Sequence, residues 1–114
     1  MKISNLKLSL FSIVLSFAPL SWVQSGELKS FHLTVKDGVF SPITIEIPAE
    51  EKIKLEVQNS GSTAEEFESV ELNREKVLPP GATIILYIGP LSKGEYKFFG
   101  DFHKDSARGK IIVK

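Results

Sequence analysis

Two short stretches set acidic or imidazole side chains two residues apart around a phenylalanine: Glu66-Phe67-Glu68 and Asp101-Phe102-His103. In an extended backbone, residues i and i+2 project to the same side. Each stretch then presents two oxygen or nitrogen donors while its Phe faces the other way. If the two meet at one end of a fold, Glu66, Glu68, Asp101 and His103 converge and outline a metal site. Three carboxylates and one imidazole form a hard donor set, suited to Fe(III), Mn(II) or Cu(II). The soft thiolate that favours Cu(I) is missing from a chain with no cysteine. Glu65 and Asp105 are further carboxylates nearby in the chain.

These residue types also have ordinary explanations. A Glu-x-Glu on a strand is commonly a solvated face, and Glu71 and Glu75 make the surrounding segment acidic as a whole. A single His in a loop is commonly a surface residue. Against this, acids packed close together repel unless a cation neutralises them, and residues 65–68 contain no Lys or Arg. His32 falls on the polar side of its segment and is given no role. Tyr96, Phe67, Phe98 and Phe99 are expected in the core. Arg74 and Lys76 read as solvated, and Pro79-Pro80-Gly81 as a turn.

The elements that must position these residues read as strands. Phe31, Leu33 and Val35 alternate with His32, Thr34 and Lys36; Ile43, Ile45 and Ile47 with Thr44 and Glu46; Ile53, Leu55 and Val57 with charged and amide residues. This is the two-residue period of half-buried strands. Further strands are expected at Glu66 to Leu72, Thr83 to Gly89, Glu95 to Gly100 and Gly109 to Lys114, separated by NSGST, PPGA and PLSKG. Short strands at this spacing, with turn residues between them and no sustained helical period, predict a small all-β sandwich.

The first 25 residues differ in character. Lys2 and Lys7 flank a short polar beginning, and Leu8 to Leu20 is mostly apolar, the pattern of a secretory signal peptide. That apolar run of 13 residues is shorter than the ~20 needed to span a bilayer. Val23 and Ser25 suit the positions three and one before a cleavage point, so residues 1–25 are expected to be removed and 26–114 to form one periplasmic domain. Loss of Lys2 and Lys7 leaves 12 basic against 14 acidic residues, a net charge of −2. No basic patch points to nucleic acid.

The stretch GEYKFFGDFHKDSARGKIIV resembles the last two strands and connecting loop of the cupredoxins. In that family an aromatic-rich strand delivers a Cys, followed by a His, a Met and a Gly that opens the final strand. The resemblance puts Tyr96 and Phe98 at core aromatic positions, Gly100 near the Cys, His103 at the His, Ala107 at the axial Met and Gly109 at the Gly. The family's other His falls in the region of Glu65 and Glu66. A blue, thiolate-bound copper centre is excluded by these departures.

The stretches EFES, LNREKVLPPG, IGPLSKGEYKFFGDFH and ARGKIIV are similar to a narrower branch, the periplasmic cupredoxin-like proteins associated with ferrous-iron permeases. This resemblance implies a Greek-key β-sandwich or barrel of about seven strands. It also implies binding of copper and iron, as Cu(II) and Fe(II)/Fe(III), through Glu66, Glu68, Asp101 and His103. The implied role is to oxidise Fe(II) and pass Fe(III) on, with an inner-membrane ferrous-iron permease system and a periplasmic iron-binding protein as partners. The alternative expectation is a metal-free sandwich that docks on a membrane transporter through its acidic end.

Overall fold

The alternating segments pair as nine strands in the computed structural model, which describes residues 27–114. The expected signal peptide and its cleavage point lie outside the described residues. The strands are β1 (Ser30–Lys36), β2 (Val39–Ser41), β3 (Thr44–Ile47), β4 (Ile53–Asn59), β5 (Glu65–Ser69), β6 (Arg74–Leu78), β7 (Thr83–Ile88), β8 (Gly94–Gly100) and β9 (Arg108–Val113). One sheet has the order β2-β1-β4-β7 and the other β3-β9-β8-β5-β6. The pairs β1–β4 and β3–β9 are parallel and the rest antiparallel. The expected all-β sandwich is thus the observed fold, with two strands more than the seven anticipated.

The two extra strands were hidden for different reasons. β2 has only three residues, too few to display a period. β6, REKVL, is an edge strand with one buried residue, Leu78, so its sequence carries almost no alternation. The segment expected as one strand from Glu66 to Leu72 instead ends at Ser69 and turns, with Asn73 in the left-handed region at φ 58°. Ile43, expected inward beside Ile45 and Ile47, is 63% exposed. It lies in the bend that carries the chain from one sheet to the other, before the alternation of β3 begins at Thr44.

The core lies between the sheets and is centred on three phenylalanines. Phe98 packs 5.0 Å from Phe40 and 5.3 Å from Phe67, ring centroid to centroid. Each such pair adds roughly 0.5–1.5 kcal/mol beyond its burial. Phe98 is accommodated by Gly109, its register partner on β9, where an added Cβ would stand 2.5 Å from the ring. Phe67 is the sole apolar residue of β5, whose inward positions are Glu65, Phe67 and Ser69 and whose outward positions are Glu66 and Glu68. A strand with so little apolar area is held by its neighbours and by the bonds its buried polar groups make. Ser69 Oγ donates to the Lys97 carbonyl at 2.6 Å and accepts from the Leu72 amide at 3.1 Å. Buried Asn59 donates to the carbonyls of Thr63 (2.8 Å) and Leu78 (3.0 Å) and accepts from the Gly61 amide (3.0 Å), fixing the loop that leads into β5.

Candidate metal centre

On the outer side of β5, one ligand oxygen from each of Glu66, Glu68 and Asp101 lies within 4.8 Å of the other two. Oxygens on opposite sides of one hard cation stand about 4.2 Å apart for a small ion and close to 5 Å for a large one. The grouping therefore matches the span of a single ion. All three side chains are half-buried, so solvent screens them less than it would fully exposed groups.

The electrostatics of this face are unfavourable without a cation. Like charges this close repel even through water-like screening. Glu75 adds to it, since the β5–β6 register sets Glu75 directly opposite Glu68. The Glu66 carboxyl is held above the ordinary carboxylate range. Loss of surrounding water is the first cause, then the charge of Glu75, a hydrogen bond with Asp101, and the charges of Asp101 and Glu68. Among the described residues the one salt bridge to this group is Lys104 Nζ to Asp101 Oδ1, at 3.3 Å and largely exposed. Glu75 was not among the residues singled out from sequence. The signal that would have found it is the hairpin turn at residues 70–73, which sets the register of Glu68 against Glu75.

Three of the four side chains proposed from sequence are thus brought together, and His103 is held elsewhere. The expectation that Asp101-Phe102-His103 is extended does not hold: these residues form one turn of 3₁₀ helix. At three residues per turn, side chains two positions apart diverge by about 240° rather than pointing the same way. Asp101 consequently faces Glu66 and Glu68 while the His103 ring turns inward, and Phe102, expected to face away from them, is half exposed.

His103 meets Glu65, whose carboxylate is 2% exposed. His103 Nδ1 lies 2.5 Å from Glu65 Oε2. Glu65 Oε1 accepts from the Phe102 amide at 2.9 Å and from the Glu66 amide at 3.0 Å. Gly100 is required beside it, because a Cβ there would stand 2.6 Å from Glu65 Cδ and 2.7 Å from Ala107 Cβ. The loop is closed by the Gly100 amide donating to the Ala107 carbonyl and the Ala107 amide to the His103 carbonyl, both at 2.8 Å. Ser106 Oγ donates to the Gly38 carbonyl at 2.6 Å, tying the loop to the β1–β2 turn. His32 is exposed, as expected, and lies 3.4 Å from Glu56 Oε2.

The sequence matches the family described as "Cupredoxin-like domain" over residues 9–113. An uncharacterised protein of Rickettsia prowazekii (strain Madrid E) is 47% identical over 81 residues, which make up 71% of this chain and 65% of that protein. The chain therefore spans somewhat less than two thirds of the length of this relative. Among solved structures, reduced auracyanin from Roseiflexus castenholzii superposes with a TM-score of 0.67 at 12% identity, covering 78% of this chain and 99% of that one. A purple cupredoxin from Nitrosopumilus maritimus gives 0.56 at 19% identity, covering 73% and 98%. The metal-binding domain of the Cu(I)-exporting ATPase CopA of Streptococcus pneumoniae gives 0.66 at 11% identity, covering 75% and 84%. At these identities the structural likeness speaks to the fold alone.

Proposed function

From the premise that the chain belongs to the cupredoxin-like domain family, we propose that it is a periplasmic metal-binding protein whose ion lies on the outer face of β5. The observation that carries this reading is the convergence of Glu66, Glu68 and Asp101 within the span of one hard cation. Sulfur-ligated copper does not fit the family position. The chain has no cysteine, and at the Cys-like position, Gly100, the Glu65 carboxylate and Ala107, the Met-like residue, leave no room for a larger side chain.

An oxygen donor set favours Cu(II) at the top of the divalent series and iron where iron is supplied, and it stabilises the higher charge of Fe(III) over Fe(II). This supports an accessory role in iron uptake, in which the domain binds iron and oxidises Fe(II) for an inner-membrane permease. Binding comes first in this reading, because a single ion moves one electron and needs an acceptor outside the chain. His103 completes the proposed ligand set through Nε2, the ring nitrogen that its bond to Glu65 leaves unengaged among the described residues. His103 is the one proposed ligand outside the present grouping of Glu66, Glu68 and Asp101.

Calorimetric titration of the domain with Cu(II), Mn(II) and anaerobic Fe(II) tests the proposal. One ion per chain is expected, and Glu68→Ala abolishes it. No binding of any of the three would overturn it in favour of a metal-free module docking on a transporter. Electron paramagnetic resonance of the Cu(II) form decides the role of His103: coupling to one nitrogen puts His103 on the ion, and no nitrogen coupling leaves an all-oxygen site.

A further inference from the structure

Glu65 is the most buried acid of the described residues, and its carboxylate is turned away from the outer carboxylates. Its three donors come from two separate parts of the chain. The Glu66 amide belongs to β5, while the Phe102 amide and the His103 ring belong to the turn after β8, 37 and 38 residues further on. The same two parts supply the outer grouping: Glu66 and Glu68 from β5, and Asp101 from the turn. Backbone pairing between β5 and β8 is short, with only Phe67–Gly100 and Glu68–Phe99 in register. Beyond Gly100 the ladder ends, and the turn is joined to the start of β5 by the three bonds of Glu65 and, where a proton is shared, by Glu66 with Asp101.

We infer that Glu65 is a positioning residue: its buried carboxylate gathers the 3₁₀ turn onto β5 and thereby sets Asp101 beside Glu66 and Glu68. The anion works from inside the pole as a ligated ion would, drawing donors from separate segments onto one centre. A buried carboxylate is costly unless its lone pairs are met, so once Glu65 is in place the turn is held to the one conformation that supplies both Phe102 N–H and His103 Nδ1. A 3₁₀ turn of three residues has little intrinsic stability, and the residue before it, Gly100, contributes no side-chain cap. The second half of the inference, the placing of Asp101 for a cation, rests on the proposed metal-binding reading.

The test uses amide hydrogen exchange in the metal-free protein together with Mn(II) titration. In Glu65→Ala the Phe102 and Glu66 amides should exchange about tenfold faster or more, the effect of losing hydrogen bonds to a charged acceptor. The Leu55 and Val57 amides on β4 open only with the whole fold and report the change in global stability, against which the larger losses at Phe102 and Glu66 are read, and Mn(II) affinity should fall about tenfold as Asp101 loses its fixed place. Glu65→Gln keeps the shape and the Oε1 acceptor, and should recover most of the protection at Phe102. Glu65→Asp keeps the charge but lacks one methylene of reach. It serves as the second variant if Glu65→Ala does not fold, and should show the same two losses. Phe102 exchange and Mn(II) affinity equal to wild type in Glu65→Ala or Glu65→Asp would overturn the inference. A wild-type protein that binds none of Cu(II), Mn(II) and Fe(II) would defeat the metal-binding reading instead, and Phe102 exchange would still decide whether Glu65 orders the turn.

Discussion

Glu65 and Glu66 are neighbours on one strand with the same side chain and opposite surroundings. Glu65 points inward, is 2% exposed, and accepts from three donors. Glu66 points outward into Glu68, Glu75 and Asp101, and is driven toward its protonated form. The difference follows from the two-residue period of a strand, which sends consecutive residues to opposite faces. The inner acid is satisfied by the protein itself, whereas the outer group is satisfied only by a cation or by protons. One is expected to stabilise the metal-free fold and the other to strain it, and each variant below is a measurement of that contrast.

The largest effect is expected at the inner acid. Glu65→Ala strands His103 and two amides and should lower stability by about 1–3 kcal/mol, the cost of leaving hydrogen-bonding groups unmet in a part-buried site. Urea denaturation followed by far-ultraviolet circular dichroism measures it, and a loss below about 1 kcal/mol, the size of a surface pair, would erase the contrast. At the outer group the sign should reverse. Glu68→Ala should leave the metal-free protein as stable as wild type or more so, while removing Mn(II) binding in calorimetry, since a hard site is tuned by how many charged oxygens it offers.

pH sharpens the comparison next. The Glu66 carboxyl is raised in the folded protein relative to the unfolded chain. The folded state therefore binds more protons in the window between the two values, and this group's contribution to stability falls as pH rises through it. Without metal, its repulsion should be relieved as the pH is lowered into that window. Mn(II) affinity should weaken over the same window, because proton and cation compete for one carboxylate. Glu66→Gln should flatten both responses.

Two smaller effects probe the neighbours. Glu75→Lys places opposite charges across the β5–β6 register, and should stabilise the metal-free protein by up to about 1 kcal/mol while weakening Mn(II). Lys104→Ala removes the exposed cation bonded to Asp101. A surface pair of this kind is worth about 0.2–1 kcal/mol, so Mn(II) should bind up to about fivefold more tightly.

Much of the fold was legible because strand alternation is a local property. Leu33 and Val35, Ile45 and Ile47, and Ile53, Leu55 and Val57 are all buried where the pattern put them. The outward pairing of Glu66 and Glu68 around inward Phe67 was legible for the same reason. Asp101-Phe102-His103 was not, because the same i, i+2 argument assumes an extended backbone, and no local signal marks the 3₁₀ turn. Glu75 was missed with β6, whose residues carry almost no alternation.

The sequence alone determined the chemistry on offer: hard oxygen donors, one nearby imidazole, no thiolate, and strands that present Glu66 and Glu68 together. Only the tertiary structure decided which donors share a site. Asp101 reaches the outer acids, and His103 does not, because the turn that carries both is set by a buried carboxylate 37 residues earlier in the chain. A bond across that separation leaves no trace in the spacing of neighbouring residues, whereas the strand period is written into every second one.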